Sequence, residues 1–302
     1  MNPAIDLGAE VEEVIPNQKL RTRQPAIEPG GGGVNVARAL NRMDERSTAI
    51  FPVGGPLGCY YKSLLDAENV DYEAVETEES LLRFNINLRE KNHANQYRIL
   101  MPGPELRESE WHQILDLLKD SLRKENLLVV SGSLPSEVPN DFERSLAKII
   151  EAAGARFILD GPGDMIERMK ETRIDWITPN QREFEDLLGR NLESDDLEEE
   201  LVSFIEGHST ENILLTLGSK GAIYAGAEGV RHIPAPEVDP VSAVGAGDSA
   251  VAGLVLALAH GRDCFSASQW AVAAGAAAVK TPGSHLLKKS DFEALREELC
   301  ES

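Results

Sequence analysis

The stretch from 245 to 259 constrains the fold more than any other part of the chain. Gly245, Ala246 and Gly247 have little or no side chain, and the run from 250 to 259 is apolar and rich in Ala and Leu. That composition predicts a helix buried on all sides. The turn before it leaves backbone N–H groups uncovered at the positive end of the helix dipole, where an anion is stabilised. The sequence therefore predicts a buried helix that begins at an anion-binding turn.

Asp248 lies within the first turn of that helix. A carboxylate beside an anion-binding turn is electrostatically unfavourable unless it accepts a proton from something bound there. This position predicts a general base. The simpler alternative is that Asp248 only caps the amino end of a core helix.

Composition limits the class of protein. The chain has 302 residues, of which 42% are hydrophobic, and we expect one α/β domain spanning residues 1–302. Its net charge of −21 disfavours nucleic acid and anionic membranes as partners. The longest apolar run is too short to cross a bilayer. The three cysteines are widely spaced, which predicts a reducing, cytoplasmic location without disulfides or a zinc site.

Strands alternate with helices along most of the chain. This order predicts a doubly wound, mostly parallel sheet with helices on both faces. Two β-rich segments, about 6–27 and 81–101, break the alternation and are predicted to form a small separate sheet. Within the first of them, Val11–Ile27 is predicted to be a pair of strands, and residues 1–6 the end of a strand.

Three further segments are candidates for binding. The consecutive glycines 30–33 do not match a dinucleotide fingerprint, but they predict close approach of the backbone to a ligand. Asn180 and Glu183, at the start of a predicted helix, are either a capping pair or groups that hold Mg²⁺ through water near a nucleotide. The segment 216–221 is either a hairpin turn or a loop that contacts a nucleotide.

Together these motifs resemble the ribokinase-like (PfkB-type) carbohydrate kinase family over essentially the whole chain. The resemblance rests on residues 30–38 and 240–249, with 179–183 between them. Several shorter segments are similar to the branch of phosphofructokinases and tagatose-6-phosphate kinases, namely 2–6, 19–21, 96–103 and 131–135. The resemblance implies ATP-dependent phosphoryl transfer to a hexose phosphate. Fructose 6-phosphate, giving fructose 1,6-bisphosphate, is the first choice; 1-phosphofructokinase and tagatose-6-phosphate kinase activities are the alternatives.

The resemblance also implies a role for each matching residue. Asp248 would be the general base, and the N–H groups of Gly245, Ala246 and Gly247 would stabilise the transferring phosphoryl group. The residues expected to hold sugar hydroxyls are Asp6, Gly31, Gly32 and Asn35. Those expected around the existing phosphate of the sugar are Lys19, Arg83 and Ser131, with Arg21 and Arg98 nearby.

Nucleotide and ion sites follow in the same way. The expected ATP contacts are Asn180, Thr216, Gly218, Ser219 and Gly221, and Glu183 would organise Mg²⁺. A monovalent cation such as K⁺ would lie among Ser242, Val244, Ala278 and Gly283. The two β-rich segments would form a lid that pairs with the lid of a second subunit in a homodimer.

The chain departs from the family pattern at four places. The family's first strand begins upstream of the equivalent of Met1, so a central strand is expected to be truncated, and an upstream start codon is one explanation. Thr178 replaces a usual Lys, 161–163 lacks the usual hydroxyl residues, and 280–285 differs beneath the expected adenine site.

Two other functions stay open at this stage. A kinase acting on a free sugar or nucleoside is disfavoured by the cationic residues Lys19, Arg83 and Arg98, which an uncharged substrate does not need. A catalytically silent sugar-phosphate-binding protein on the same fold is disfavoured by the presence of Asp248 behind its glycine turn.

Overall fold

The computed structural model describes residues 2–22, 25–78, 82–93, 95–103, 105–135, 138–139, 141–169, 172–193, 196–283 and 285–301. The strands are β1 (Ala4–Val11), β2 (Ala26–Gly30), β3 (Thr48–Gly54), β4 (Asp71–Thr77), β5 (Arg83–Glu90), β6 (Gln96–Leu100), β7 (Leu127–Ser131), β8 (Arg156–Asp160), β9 (Ile174–Ile177), β10 (Thr210–Thr216), β11 (Ala222–Gly226) and β12 (Gly229–Ile233). The helices are α1 (Gly32–Arg42), α2 (Gly55–Ala67), α3 (Glu108–Ser121), α4 (Phe142–Ala153), α5 (Gly163–Arg168), α6 (Gln181–Leu188), α7 (Leu197–Gly207), α8 (Ala246–Ala259), α9 (Cys264–Val279) and α10 (Lys289–Glu301).

A six-stranded sheet in the order β12-β11-β10-β9-β8-β7 forms the centre of the molecule. Its strands β7 to β10 are parallel, and β11 and β12 continue it antiparallel. Successive side chains of a strand point to opposite faces. Accordingly Ile158 joins a core with α1, α8, α9 and α10, whereas Phe157 and Leu159 join a second core with α3, α4, α6 and α7. Helices therefore cover both faces, as predicted.

The predicted small sheet is present, with four strands in the order β2-β1-β5-β6; we call it the lid. Its strands extend slightly beyond the predicted segment 6–27, since β1 begins at Ala4 and β2 ends at Gly30, whereas β5 and β6 lie within 81–101. Residues 23, 24, 81 and 94 of these segments lie outside the described residues. One lid face is polar and includes Asp6 and Asn85, which are paired in register. The other face is apolar and has a row across all four strands, formed by Ile27, Leu7, Ile86 and Ile99.

The strand assignment near the amino end was wrong in two respects. Residues 4–11 form one continuous lid strand, rather than the end of a strand at 1–6 followed by a strand pair over 11–27. The continuous strand is stabilised by parallel pairing with all eight residues of β5, from Ala4 with Arg83 to Val11 with Glu90. Pairing with a strand so distant in sequence is not visible in local composition.

The parallel sheet was expected to be one sheet, and it is two. Strands β3 and β4 form a separate parallel pair beside the six-stranded sheet. A cavity of about 570 Å³ lies between the two, lined by residues of β3 on one side and of β7 on the other. This cavity is where the two parallel sheets separate. The expected truncation of a central strand stays a prediction. Strands β4 and β12 and the short helix α5 were not predicted.

Within the described residues, no helix combines the length and the hydrophobicity needed to cross a lipid bilayer.

Candidate active site

The predicted anion-binding turn lies at the amino end of α8. Gly245 precedes the helix with a φ of 77°, a left-handed conformation that favours glycine. Residues 249–258 of the helix are buried. Gly253 permits close packing on α9, because a Cβ atom there would lie 2.5 Å from the carbonyl oxygen of Trp270. The structure thus has the buried helix and the bare turn that the sequence predicts.

Asp248 is held from α1, and its environment disfavours a negative charge. Asn35 Nδ2 donates a hydrogen bond to Asp248 Oδ2 over 2.8 Å. Burial, and then the negative charge of Asp160, raise the pKa of Asp248 to about 7, although the bond from Asn35 acts in the opposite direction. A carboxyl group with a pKa near neutrality can accept and release a proton under physiological conditions. The capping alternative does not hold, since the N-cap of α8 is Gly245.

Asp160, at the end of β8, is a second half-buried carboxyl group beside Asp248. Its Oδ2 accepts a hydrogen bond from Ser131 Oγ over 2.7 Å, and its Oδ1 accepts one from Thr178 Oγ1 over 2.9 Å. Burial raises the pKa of Asp160, and the two hydroxyl groups partly offset that effect. At the position where the family usually has Lys, Thr178 thus donates a hydrogen bond to Asp160. The Ser131 hydroxyl proton is directed at Asp160 here, and its contact with a substrate phosphate stays a prediction.

The glycine run brings backbone next to two predicted substrate-binding side chains. A Cβ atom on Gly30 would lie 2.3 Å from Asp6 Oδ2, and one on Gly32 would lie 2.4 Å from Ser131 Oγ. Gly31 is the N-cap of α1 with a φ of 111°. Substitution at these positions would displace Asp6 or Ser131, which explains why glycines occur there.

The polar face of the lid carries three of the residues expected to bind the sugar phosphate, namely Asp6, Arg83 and Arg98. Asp6 Oδ1 accepts a hydrogen bond from Asn85 Nδ2 over 2.8 Å, and burial raises the pKa of Asp6. Arg83 Nη2 donates to the carbonyl oxygen of Asn2 over 2.9 Å. Arg98 lies near enough to Asp248 to favour its charged form. Lys19 lies in the exposed irregular segment 12–22, and its contact with substrate stays a prediction.

A cavity of about 940 Å³ joins the predicted nucleotide contacts to the anion-binding turn. Its lining includes all the expected ATP contacts, namely Asn180, Thr216, Gly218, Ser219 and Gly221, together with Ala246 and Gly247. Apolar side chains such as Val238, Val272 and Ala276 form another part of the wall. An apolar wall suits a purine base, and the helix terminus suits phosphates. A single ligand could therefore occupy the cavity with its anionic end at α8.

Asn180 and Glu183 form the capping box that the sequence allowed. Asn180 Oδ1 accepts from the N–H of Glu183 over 3.0 Å, and Glu183 Oε2 accepts from the N–H of Asn180 over 2.9 Å. This bond occupies one of the two carboxylate oxygens. Burial, with a further contribution from the charge of Asp160, raises the pKa of Glu183.

The donor set also fits a divalent cation near the nucleotide. The charge of Asp160 raises the pKa of both Glu183 and Asp248, so a cation near Asp160 would relieve its repulsion of each. The described residues include no group of three His, Cys, Asp or Glu side chains arranged to hold a metal by themselves. Mg²⁺ usually binds through one or two carboxylates, water and substrate phosphates, and this arrangement matches that habit.

The four residues expected around a monovalent cation are only partly brought together. The N–H groups of Val241 and Ser242 donate to the carbonyl oxygen of Val279, which places the 242–244 loop beside the end of α9. The carbonyl oxygen of Ala278 already accepts hydrogen bonds from the N–H and Oγ1 of Thr281. Gly283 has a φ of 60° and lies beside Glu28. A cation among Ser242, Val244, Ala278 and Gly283 stays a prediction.

Comparison with known proteins agrees with this geometry. A family model described as pfkB family carbohydrate kinase matches residues 1–290. The chain belongs to the pfkB family of carbohydrate kinases. One pfkB relative, ATP-dependent 6-phosphofructokinase isozyme 2 of Escherichia coli strain K12, is 33% identical over 293 residues, which are 96% of this chain and 94% of that protein. Another, 1-phosphofructokinase of Bacillus subtilis strain 168, is 28% identical and covers 92% of this chain and 90% of its own length.

Solved structures of pfkB kinases show the same fold. Phosphofructokinase-2 from E. coli in complex with substrates and products matches with a TM-score of 0.93 and 32% identity, covering 99% of this chain and 97% of that one. Other crystal structures of the E. coli enzyme are complexes with potassium and with fructose-6-phosphate, and a tetrameric inhibited form. The predicted family, fold class and class of ATP-dependent sugar-phosphate kinase are confirmed.

Three polar residues around the pfkB site, Asp160, Asn85 and Arg38, were not predicted from the sequence. Asp160 ends a strand of the parallel sheet, where such folds bind ligands, and that position was the available signal. Asn85 faces Asp6 across the lid. Arg38 lies three residues after Asn35 on α1, close enough on a helix for their side chains to meet.

Proposed function

We propose that this protein transfers the γ-phosphoryl group of ATP to a hydroxyl group of fructose 6-phosphate, giving fructose 1,6-bisphosphate. One observation carries the proposal: Asp248 lies at the amino end of α8, with the nucleotide-sized cavity on one side and the polar lid face on the other. The relationship to 6-phosphofructokinase isozyme 2 supports the choice of acceptor.

The proposed reaction divides into two tasks. The Asp248 carboxylate removes the proton from the attacking hydroxyl group, which then attacks the γ-phosphorus in line with the leaving oxygen of ADP. The N–H groups of the Gly245–Gly247 turn and the positive end of α8 stabilise the negative charge on the transferring group. Once the bond to ADP is broken, the proton on Asp248 returns to solvent.

The lid supplies specificity in this proposal. Asp6, Asn35 and the backbone of Gly31 and Gly32 would orient the sugar hydroxyls. Arg83 and Arg98, with Lys19, would bind the 6-phosphate, since charge-assisted hydrogen bonds must offset its desolvation and the net negative charge of the protein. Ser131, whose hydroxyl group is bonded to Asp160, would lie beside the same phosphate.

Ions have a limited part in the proposal. Mg²⁺ bound near Glu183 would neutralise charge on the phosphates of ATP. A monovalent cation near the 242–244 loop would act on the same turn, and the potassium complex of the E. coli relative supports testing for it.

We further propose a homodimer formed through the apolar faces of two lids. Ile27 and Ile99, in the row that crosses the lid, are 42% and 53% exposed in the single chain. A four-stranded sheet with one apolar face in water is stabilised when a second sheet covers it. The E. coli relative forms oligomers, which supports the expectation.

All three cysteines are unpaired, which supports a cytoplasmic location.

A coupled assay that detects ADP tests the proposal. Fructose 6-phosphate should accelerate ADP formation strongly, whereas free sugars and nucleosides should not. Fructose 1-phosphate and tagatose 6-phosphate are included, because the B. subtilis relative is a 1-phosphofructokinase. Faster turnover with either of them would change the assigned acceptor. Binding of sugar phosphate without ADP formation would favour a silent binding protein.

A further inference from the structure

Arg38 is completely buried on α1, and its guanidinium group links the glycine turn and Asn35 to Glu68 at the end of α2. Its Nη1 donates to the carbonyl oxygen of Pro29 over 2.7 Å and to Asn35 Oδ1 over 3.1 Å. Its Nε and Nη2 donate to the two carboxylate oxygens of Glu68 over 2.9 and 2.6 Å. Burying a cation costs free energy unless hydrogen bonds and opposite charges offset that cost. The hydrogen bonds of Arg38 therefore require an explanation.

The bond to Asn35 determines which way the Asn35 amide faces. A guanidinium group can only donate hydrogen bonds, so it can approach the amide oxygen but not the amide nitrogen. The Asn35 nitrogen is therefore directed to the other side, where it donates to Asp248 Oδ2. Without Arg38 the amide could rotate by half a turn and present its oxygen to Asp248, which would repel the carboxylate.

Charge around Arg38 keeps the guanidinium group in place. Burial alone would lower the pKa of Arg38, but the hydrogen bonds and charges of Glu68, and then Glu28, outweigh burial and raise it. Arg42 contacts Glu68 at 3.8 Å, and His285 contacts Glu28 at 2.9 Å. Tyr61, which donates to the carbonyl oxygen of Gly30 over 2.7 Å, packs under the same turn. Arg38 thus has a fixed position between α2 and the glycine turn.

We propose that Arg38 is a positioning residue for phosphoryl transfer. It orients the Asn35 amide, which holds one carboxylate oxygen of Asp248. The other oxygen of Asp248 is then directed at the acceptor hydroxyl group. The proposal rests on the role of Asp248 as general base given above. Arg38 itself touches neither substrate nor nucleotide in it. The groups that act on the charge of Asp248 are Asn35, Asp160, Asp6 and Arg98, and Arg38 acts only through the first.

The decisive experiment is a double-mutant cycle of Arg38→Lys and Asn35→Ala, measured as the pH dependence of kcat/KM for fructose 6-phosphate. Lysine keeps the charge, but its three N–H donors are on one atom and cannot reproduce the hydrogen bonds that Nε, Nη1 and Nη2 of Arg38 make in different directions. Loss of the oriented amide should move the acid limb of the profile upward by about half a unit or more, with kcat near pH 7 lowered about tenfold and KM for ATP unchanged. In the Asn35→Ala background, Arg38→Lys should add no further shift.

Two controls separate positioning from packing. Arg42→Lys alters a cation on the same helix that contacts the same Glu68, and should leave the profile in place. Glu68→Gln removes the negative charge that holds Arg38, and should shift the profile in the same direction by a smaller amount. It also provides a second variant if Arg38→Lys does not fold.

A readout without substrate completes the test. The ¹⁵N resonance of the Asn35 side-chain amide, assigned by its loss in Asn35→Ala, should titrate with Asp248 in the wild type and lose that dependence in Arg38→Lys. An unchanged titration, or equal shifts of the profile in both backgrounds, would overturn the role of Arg38. If the wild type does not phosphorylate fructose 6-phosphate, the proposed function fails instead, and the amide titration still decides the role of Arg38.

Discussion

At the scale of single residues, Asp248 shows how a catalytic group is made from an unfavourable environment. Burial and the charge of Asp160 raise its pKa to about 7, so the group changes its protonation state near neutral pH. Because a general base must be ionised, kcat/KM should rise with pH up to about 7 and then level off.

Asp248→Asn should fold and lose about 10²–10⁴-fold or more in turnover, as measured with the coupled assay. Wild-type turnover in the variant would reduce Asp248 to a structural residue.

The same pKa predicts an effect on stability. The folded-state pKa of Asp248 is raised above that of the unfolded chain, so between about pH 4 and pH 7 the folded state binds more protons, and stability falls as pH rises through this range. Asp248→Asn removes that penalty. Urea unfolding should show the variant more stable than the wild type, by a margin that grows by about 2 kcal/mol from pH 5 to pH 8. Asp71→Asn, at an exposed position, is the control. A margin independent of pH would contradict the assigned environment of Asp248.

Arg83 tests recognition of the substrate phosphate. Removal of a charge-assisted hydrogen bond in Arg83→Ala should raise KM for fructose 6-phosphate by about tenfold or more, with little change in KM for ATP. Arg89→Ala is a matched control, because Arg89 lies on the same face of the same strand, six residues further along. Free fructose should be a poor substrate for all three proteins. Equal efficiency of the wild type on fructose and fructose 6-phosphate would assign the protein to kinases of free sugars.

At the scale of elements, the lid has two faces with separate tasks. Its polar face carries Asp6, Arg83 and Arg98, which are proposed to bind the sugar phosphate, and its apolar face is available to a second lid. Ile99→Asp introduces a charge at one end of the apolar row, at a position that is 53% exposed in the single chain, and we expect light scattering to show dissociation of the dimer into monomers. Val202→Asp, at a 41% exposed position on α7, introduces the same charge away from the lid and should leave the dimer intact. A stable, active wild-type monomer at micromolar concentration would remove the basis of this model.

At the scale of the whole molecule, the net negative charge affects the stability of the fold. The chain has 51 acidic and 30 basic residues, and their self-repulsion favours the more expanded unfolded state. Between about 10 mM and 1 M salt the Debye length falls from about 30 Å to about 3 Å, so repulsion between surface charges is screened. The melting temperature should therefore rise by about 5 °C or more over this range of NaCl. Sucrose at matched osmolality controls for general exclusion of solute. Flat melting curves would show that surface charge does not limit stability.

The sequence by itself determined the features that depend on neighbours along the chain. The bare turn before α8, the capping box at Asn180 and the β-rich character of the lid follow from local residue types, because φ preferences, side-chain size and hydrophobic period act over a few residues. The family motifs, read in order, gave the expected fold and class of reaction. The misplaced strands at 1–27 show the limit of this local information, since β1 is set by its pairing with β5.

Only the tertiary structure decided which side chains of the site contact one another. Asn35 and Asp248 are 213 residues apart in sequence and share a hydrogen bond, and Asp160 is reached by hydroxyl groups from two other strands or loops. The raised pKa of Asp248 likewise arises from burial and a distant carboxylate. Such contacts depend on how closed layers pack against one another. A polar side chain is satisfied by whichever partner the packing brings within about 3 Å, and no local pattern specifies that partner.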